Sequence, residues 1–377
     1  MLIYFVMLSI LGVSLFFDYK GFLWLCFLVC SVMGVFFSFS YGNPDYLAYY
    51  SFFNEVSFDH FVFINGDPSS YLFSWLNVVL KEIGCDFNAF RLIVFVMIAL
   101  LFFCFFYKKI EIGLFLLIYG VVPFIYDLVQ IRLFIAEALV LFAMNFLLKK
   151  NYFLFVLFYI VAIYFHSMVS VCFLIFFVPR NFILSRKARK MLLFVSCVLV
   201  CVCFIGNPII DIVKTFVSSL PSFNEYHRYF ETSDVKLGFL LYAFYQMLNV
   251  LVAYYLNIQV TKKTFLPVWN MRLNTLNFNV QIVGILFVVL TMININFARF
   301  FRMFLMLNVL NFSSLLYLEK KVLTLNNVYC EKYLCLNSRN KTLNFVGVSL
   351  LIVCWIMGES LVNHSYVTIL QSLKFGF

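Results

Sequence analysis

Four arginines stand where an apolar chain has least reason to place them. Arg91, Arg132, Arg299 and Arg302 each lie at the end of an apolar run, on the side away from the lysine-rich loops. A cation in hydrocarbon costs on the order of 2.5–3.5 kcal/mol at mid-helix and less near an interface. A guanidinium also forks onto phosphate oxygens, so arginines gathered at one face could hold a pyrophosphate. Singly, each could instead snorkel to lipid headgroups. Arg132 opens the apolar run LFIAEALVLFAMNFLL, with Gln130 two residues before it and Glu137 about a turn and a half inside. A Lys149-Lys150-Asn151 turn closes that run, and the next ends at His166. This predicts an antiparallel hairpin with Arg132 and His166 at one end and the lysines at the other. His166 suits acid–base work near neutral pH, or simple packing at a helix end. Glu137 could pair with an arginine or stay protonated.

Two polar, aromatic stretches add candidates. Asp45, Tyr46, Tyr49 and Tyr50 form a D-Y-x-x-Y-Y cluster, and rings beside a carboxylate suit sugar faces and hydroxyls, although tyrosine is also common at membrane interfaces. A second stretch carries Glu225, Tyr226, His227, Arg228 and Asp234, with Arg228 a further cation for an anionic substrate. The chain has no Walker A motif, G-x-G-x-x-G, H-E-x-x-H or G-x-S-x-G elbow, and no D-x-D pair for metal-bound nucleotide-sugars.

The elements that must position these residues are membrane helices. Of 377 residues, 64% are hydrophobic and 12% charged, with a mean hydropathy of +1.00. Apolar runs of spanning length recur along the chain, which predicts an all-α polytopic membrane protein with about twelve transmembrane helices. Residues 1–377 read as a single transmembrane domain, with long loops at about 42–70 and 207–236. Tyr71–Ile83 is too short to cross and predicts a re-entrant or interfacial helix. With that segment not crossing, eighteen of the 27 basic residues fall in loops on one side, which becomes the cytoplasmic face. Both long loops and both termini are then expected outside, and the first apolar run reads as a retained span.

The net charge of +10 therefore marks orientation, not a nucleic-acid surface. Most of the eleven cysteines lie inside spans and act as small apolar residues. Cys330 and Cys335 share a loop, but no nearby His or Cys completes a zinc site, so no metal is expected.

These residues resemble the EpsG-like family of polysaccharide polymerases, which includes many O-antigen polymerases (Wzy). The resemblance rests on Asp45-Tyr46 with Tyr49, on Ile131-Arg132 leading into FIAEALVLFAMNFL, and on the Lys149-Lys150 turn. It continues through Ala162 to Phe165-His166-Ser167 and to the late Arg299-Phe300-Phe301. The sequence departs from the family pattern where Leu133 follows Arg132, with Gln130 upstream, and where Asp67-Pro68-Ser69-Ser70 precedes the short helix. The layout also resembles GT-C-type glycosyltransferases.

The resemblance implies an enzyme of the bacterial inner membrane, with its active site facing the periplasm. It would transfer a growing glycan from undecaprenyl pyrophosphate to a lipid-linked repeat unit, with no metal or cofactor. Arg132, His166, Asp45 and Glu137 would be catalytic; Arg299, Arg302, Tyr46, Tyr49, Gln130 and Arg228 would bind substrate. Partners would be undecaprenyl pyrophosphate-linked oligosaccharides, the lipid bilayer and a chain-length regulator. A flippase for lipid-linked oligosaccharides would instead place charges deep along a central path and show internal repeats. An O-antigen ligase shares the donor and stays open. A membrane O-acyltransferase would need its basic site on the cytoplasmic side, which His166 does not face.

Overall fold

A helix leaves four N–H and four C=O groups unmet at its termini, and lipid supplies no partners for them, so the ends of the apolar runs govern this fold. The computed structural model describes residues 2–14, 22–43, 45–64, 70–121, 123–206, 239–261, 266–293, 297, 299–325 and 373–375. Apart from connecting segments and one two-residue strand pair, these residues are helical, and the chain divides into two compact units. Five helices among them are long and apolar enough to cross a membrane: Phe22–Phe39, Phe87–Phe106, Ile131–Leu148, Val268–Thr291 and Arg299–Leu318. The chain is a helical membrane protein. The last long apolar run of the sequence, Leu343–Leu361, and the second long loop lie outside the described residues.

The first unit comprises Met1–Phe176, Ser313–Val328 and Asn363–Phe377. Its helices are α1 (Leu2–Ser14), α2 (Phe22–Phe39), α3 (Tyr46–Glu55), α4 (Tyr71–Glu82), α5 (Phe87–Phe106), α6 (Ile112–Val121), α7 (Pro123–Asp127), α8 (Ile131–Leu148) and α9 (Tyr152–Ile163). A helix apolar on every face belongs in a core, and α8 is buried almost all round, packed on α9 and α5. The short strands β1 (Ser40–Tyr41) and β2 (Lys374–Phe375) pair antiparallel, Ser40 opposite Phe375. The α4 helix has 12 residues, about 18 Å at 1.5 Å per residue, well short of a hydrocarbon core of about 30 Å.

The expected hairpin is α8 and α9, and its turn has a definite mechanism. The Lys150 N–H donates to Leu147 O (3.0 Å) and the Asn151 N–H to Phe146 O (2.9 Å), the paired closure that ends helices in a left-handed residue. That residue is Lys150, at φ 63°. Asn151 then caps the next helix, its side chain accepting from the Leu154 N–H (3.1 Å). The apolar run that follows His166, Met168–Val178, does not form one helix: a 3-10 stretch (Ser167–Phe173) leads into a single turn, α10 (Leu174–Phe177). The Tyr159 hydroxyl bonds the carbonyls of Val169 and Ser170, replacing partners that a regular helix would supply.

The second unit comprises Phe177–Phe312 and Tyr329–Val362. It holds α11 (Arg186–Gly206), α12 (Phe239–Thr261), α13 (Val268–Val283), a 3-10 turn at Gly284–Phe287, α14 (Val288–Ile293) and the start of α15 (Arg299–Leu325). Buried carboxamides tie three of these helices together. Asn308 donates to Asn249 Oδ1 (2.8 Å), Asn277 to Asn308 Oδ1 (2.9 Å), and Gln281 to Asn277 Oδ1 (3.1 Å) and Phe304 O (2.7 Å). Hydrogen bonds between helices hold bundles where lipid gives apolar side chains no reason to associate.

At the lysine end of the hairpin, Lys109 Nζ donates to Phe105 O (2.5 Å) and Asn145 Oδ1 (2.9 Å). Burial, and then the neighbouring Lys149 charge, push the Lys109 ammonium down from 10.5 to about 8. The folded chain therefore binds fewer protons here than the unfolded chain between those values. Stability should rise with pH through that window, and the cost of the charged form is fully present below it. The melting temperature of the detergent-solubilised protein is expected to gain a component between about pH 8 and about pH 10.5 that Lys109→Gln removes. An identical pH profile in the variant would contradict this.

Candidate functional site

Beyond α9 the chain turns sharply, and this turn sets the first functional group. The His166 N–H donates to Ala162 O (3.1 Å), which holds the residue three positions past the helix end. Its ring Nδ1 accepts from the Met168 N–H (3.3 Å). A neutral imidazole with Nδ1 as acceptor carries its proton on Nε2. His166 thus presents an N–H donor, a form suited to an anionic oxygen more than to abstracting a proton. The side chain is half-buried.

Arg132 is the second residue of α8, and Gln130 occupies the position before the helix, where its carbonyl accepts from the Phe134 N–H (2.9 Å). At about 1.5 Å per residue from the lysine turn, Arg132 stands about 25 Å up α8, and α9 rises about 18 Å before the turn that holds His166, so both belong to the end of the hairpin opposite the lysines. Arg132 is partly exposed, while Glu137, farther into α8, is 8% exposed. The Glu137 carboxylate lies close enough to Cys172 to act on it electrostatically, which places it beside the 3-10 stretch.

The loop containing Asp45 and Tyr46 is brought to the start of α8 by Arg91. That guanidinium, 1% exposed, donates to Ser38 O (3.2 Å), Ser40 O, Ser40 Oγ (2.8 Å) and Leu128 O (3.4 Å). It lies 5.5 Å from the Phe37 ring, 5.7 Å from Tyr46 and 5.8 Å from Phe87. Asn43 adds a bond to the same Leu128 carbonyl (3.5 Å). Arg91 is thus no headgroup anchor, as its outer position suggests, but a clamp joining the end of α2 to the residues leading into α8. At the neighbouring edge the Leu72 N–H at the start of α4 donates to Tyr164 O (3.2 Å), just ahead of His166.

The tyrosines of the cluster divide by their surroundings. Tyr49 is buried, edge-on to Phe73 at 5.7 Å. Tyr46 stacks on Tyr50 with centroids 6.0 Å apart and planes 9° apart, and Tyr50 is exposed. Burial raises the Tyr46 phenol, an effect the Arg91 charge partly offsets. A parallel ring pair open to solvent is a platform for a sugar face. The structure gives Tyr50, already part of the D-Y-x-x-Y-Y cluster, its place in this pair, and the i, i+4 spacing in the sequence was the available signal. Asp45 occupies the position ahead of α3, half-buried; its carbonyl accepts from the Tyr49 N–H (3.1 Å), but its side chain does not cap the helix.

The first unit therefore gathers Asp45, Tyr46, Gln130, Arg132 and His166 at one end. In the second unit, Arg299 and Arg302 belong to the first turn of α15. Arg299 is partly exposed and Arg302 is 2% exposed; the intervening Phe301 stacks on Tyr242 at 5.7 Å. Arg228 lies outside the described residues. No group of three His, Cys, Asp or Glu residues that could hold a metal occurs among the described residues.

If Arg91 is a clamp, Arg91→Ala removes the guanidinium from the carbonyls of Ser38 and Ser40 and leaves Leu128 O with only its long bond from Asn43. Each buried loss of that kind costs about 1–3 kcal/mol. The folded yield and melting temperature in detergent are expected to fall steeply for Arg91→Ala and less for Arg91→Lys, which keeps the charge but loses the fork. Wild-type stability in Arg91→Ala would contradict the clamp.

The model of the EpsG family matches residues 23–363 of the chain. Neither a curated protein nor a solved structure matches it.

Proposed function

We propose, from the premise that the chain belongs to the EpsG family of polysaccharide polymerases, that it extends a glycan by transfer from undecaprenyl pyrophosphate to a lipid-linked repeat unit. The acceptor hydroxyl attacks the sugar carbon bonded to the pyrophosphate. The new glycosidic bond forms as the sugar–pyrophosphate bond breaks, the lipid pyrophosphate leaves, and the hydroxyl proton passes to a carboxylate. Asp45, beside the tyrosine platform, is the carboxylate we assign to that proton. Arg132 forks onto the pyrophosphate and the His166 Nε2–H supports it, so both stabilise charge that grows as the bond breaks.

Gln130 belongs to the same end, and the buried Glu137 sets the field along α8. Tyr46 and Tyr50 take sugar faces, with Tyr49 as their packed support. Arg299 and Arg302, on their own unit, and Arg228 are assigned to further anionic contacts. The reaction needs no nucleotide and no metal. We place it at the periplasmic face of the inner membrane, in a chain of about twelve spans, because the basic loops lie at the opposite ends of the helices.

The observation that carries this reading is the shared end of the α8–α9 hairpin. A partly exposed arginine and a histidine donor stand there beside a loop held in place by Arg91. Arg132→Ala is expected to lower polymer formation by about a hundredfold or more, the scale for removing one preorganised charge contact, while the protein stays inserted and abundant. Arg132→Lys should rescue part of the chain length, because an ammonium gives charge without the fork. The readout is the ladder of glycan lengths beside the protein level. A full ladder from Arg132→Ala at normal abundance would remove this residue from the mechanism.

A further inference from the structure

A cavity of about 840 Å³ opens in the second unit, bounded by the 180–183 segment, the end of α12 and the start of α13. Arg180 and Arg272 contribute cations, Asn181, Asn257 and Asn274 amides, and Thr261 and Thr275 hydroxyls; among the described residues no carboxylate lines it. Its walls are fixed by buried carboxamides. Asn279 donates to Pro179 O (2.7 Å) and Phe182 O (2.9 Å) and accepts from the Leu184 N–H (3.0 Å), so one side chain holds the whole Arg180 segment. Asn274 donates to Asn257 Oδ1 (2.8 Å) and accepts from Asn311 (3.0 Å), which fixes the opposite wall. A preformed, carboxylate-free concavity with two guanidinium groups selects an anion with several acceptor oxygens.

The rim is of a different character. Phe182, Val268 and Met271 line the cavity and are exposed, Phe182 at 64%. A soluble phosphate gains nothing from such a rim, whereas an acyl chain would cover it. The cavity also lies at the end of the unit that bears Arg186, Lys187, Arg189 and Lys190 in the opening turns of α11. Basic pockets between helices on the cytoplasmic side are suited to anionic headgroups. Following α15 from Arg299, the bonded residues Phe304, Asn308 and Asn311 lead toward Asn274, so this cavity is remote from Arg299 within its own unit.

We propose that this cavity binds the phosphate headgroup of an anionic membrane lipid, with Arg180 and Arg272 on the phosphate and the acyl chains over Phe182, Val268 and Met271. Binding of this kind is separate from glycan transfer and is read without any assay of polymer.

The full chain, purified in neutral detergent, is mixed with phosphatidylglycerol or phosphatidylcholine, and lipid retention is followed by native mass spectrometry. Phosphatidylglycerol should be held about tenfold more tightly, and Arg180→Gln with Arg272→Gln should erase that preference, as expected when bidentate contacts are lost. Should the double variant not fold, each single variant, changing one partly exposed side chain, should lower the preference about threefold. Lys187→Gln with Lys190→Gln should leave the preference intact. Equal retention of both lipids, an unaffected arginine variant, or an equal loss from the lysine variant would overturn the proposal. So would displacement of the lipid by inorganic phosphate, which would assign the cavity to a soluble anion.

Discussion

A buried guanidinium holds the first unit together. Arg91 enters α5 about one turn past its start, and its fork reaches the carbonyls that α2 leaves unmet at its C-terminal end. Those carbonyls would otherwise face lipid or apolar packing, and the arginine would otherwise be an uncompensated charge. Each problem answers the other. The same fork takes Leu128 O, so the approach to α8 is fixed by the group that ends α2, and the ring of Tyr46 closes over it. The placement of Arg132, Gln130 and the Asp45-Tyr46 loop follows from this one node. The pairing of β1 with β2 adds a second tie at Ser40.

Much of the hairpin was legible in the sequence. Lys149-Lys150-Asn151 between two apolar runs specified a tight turn, and with it the shared end of Arg132 and His166. Less legible was how that turn closes, since a left-handed residue usually points to glycine and here is Lys150. The run Met168–Val178 has the composition of a helix, its eleven residues almost all apolar. Its 3-10 form depends on the Tyr159 hydroxyl, and a side chain ten residues away leaves no mark in a local pattern. Arg91 looked like Arg132 for the same reason. Its partners are mainly backbone carbonyls, which any sequence supplies, so only the fold separates a clamp from a ligand.

The second unit reverses the lesson. Asn270, Asn274, Asn277 and Gln281 recur at helical spacing within an apolar run, a polar stripe that the sequence displays openly. Read as a stripe, it foretells bonds to neighbouring helices, and those bonds do pin α12 and α15 to α13. An average hides it, since the carboxamides leave α13 less apolar than α8 or α9 while their spacing goes unrecorded. The two units thus solve one problem with different chemistry: the first satisfies stray backbone groups with a cation, the second links helices through neutral amides that need no counter-charge.

If this chain by itself joins lipid-linked sugar units, as proposed, purified protein in liposomes supplied with undecaprenyl pyrophosphate-linked repeat units should do so without nucleotide and in the presence of a chelator. Lengthened glycans are expected, with one lipid pyrophosphate released for each bond formed. Movement of intact units across the bilayer with no lengthening would contradict the proposal.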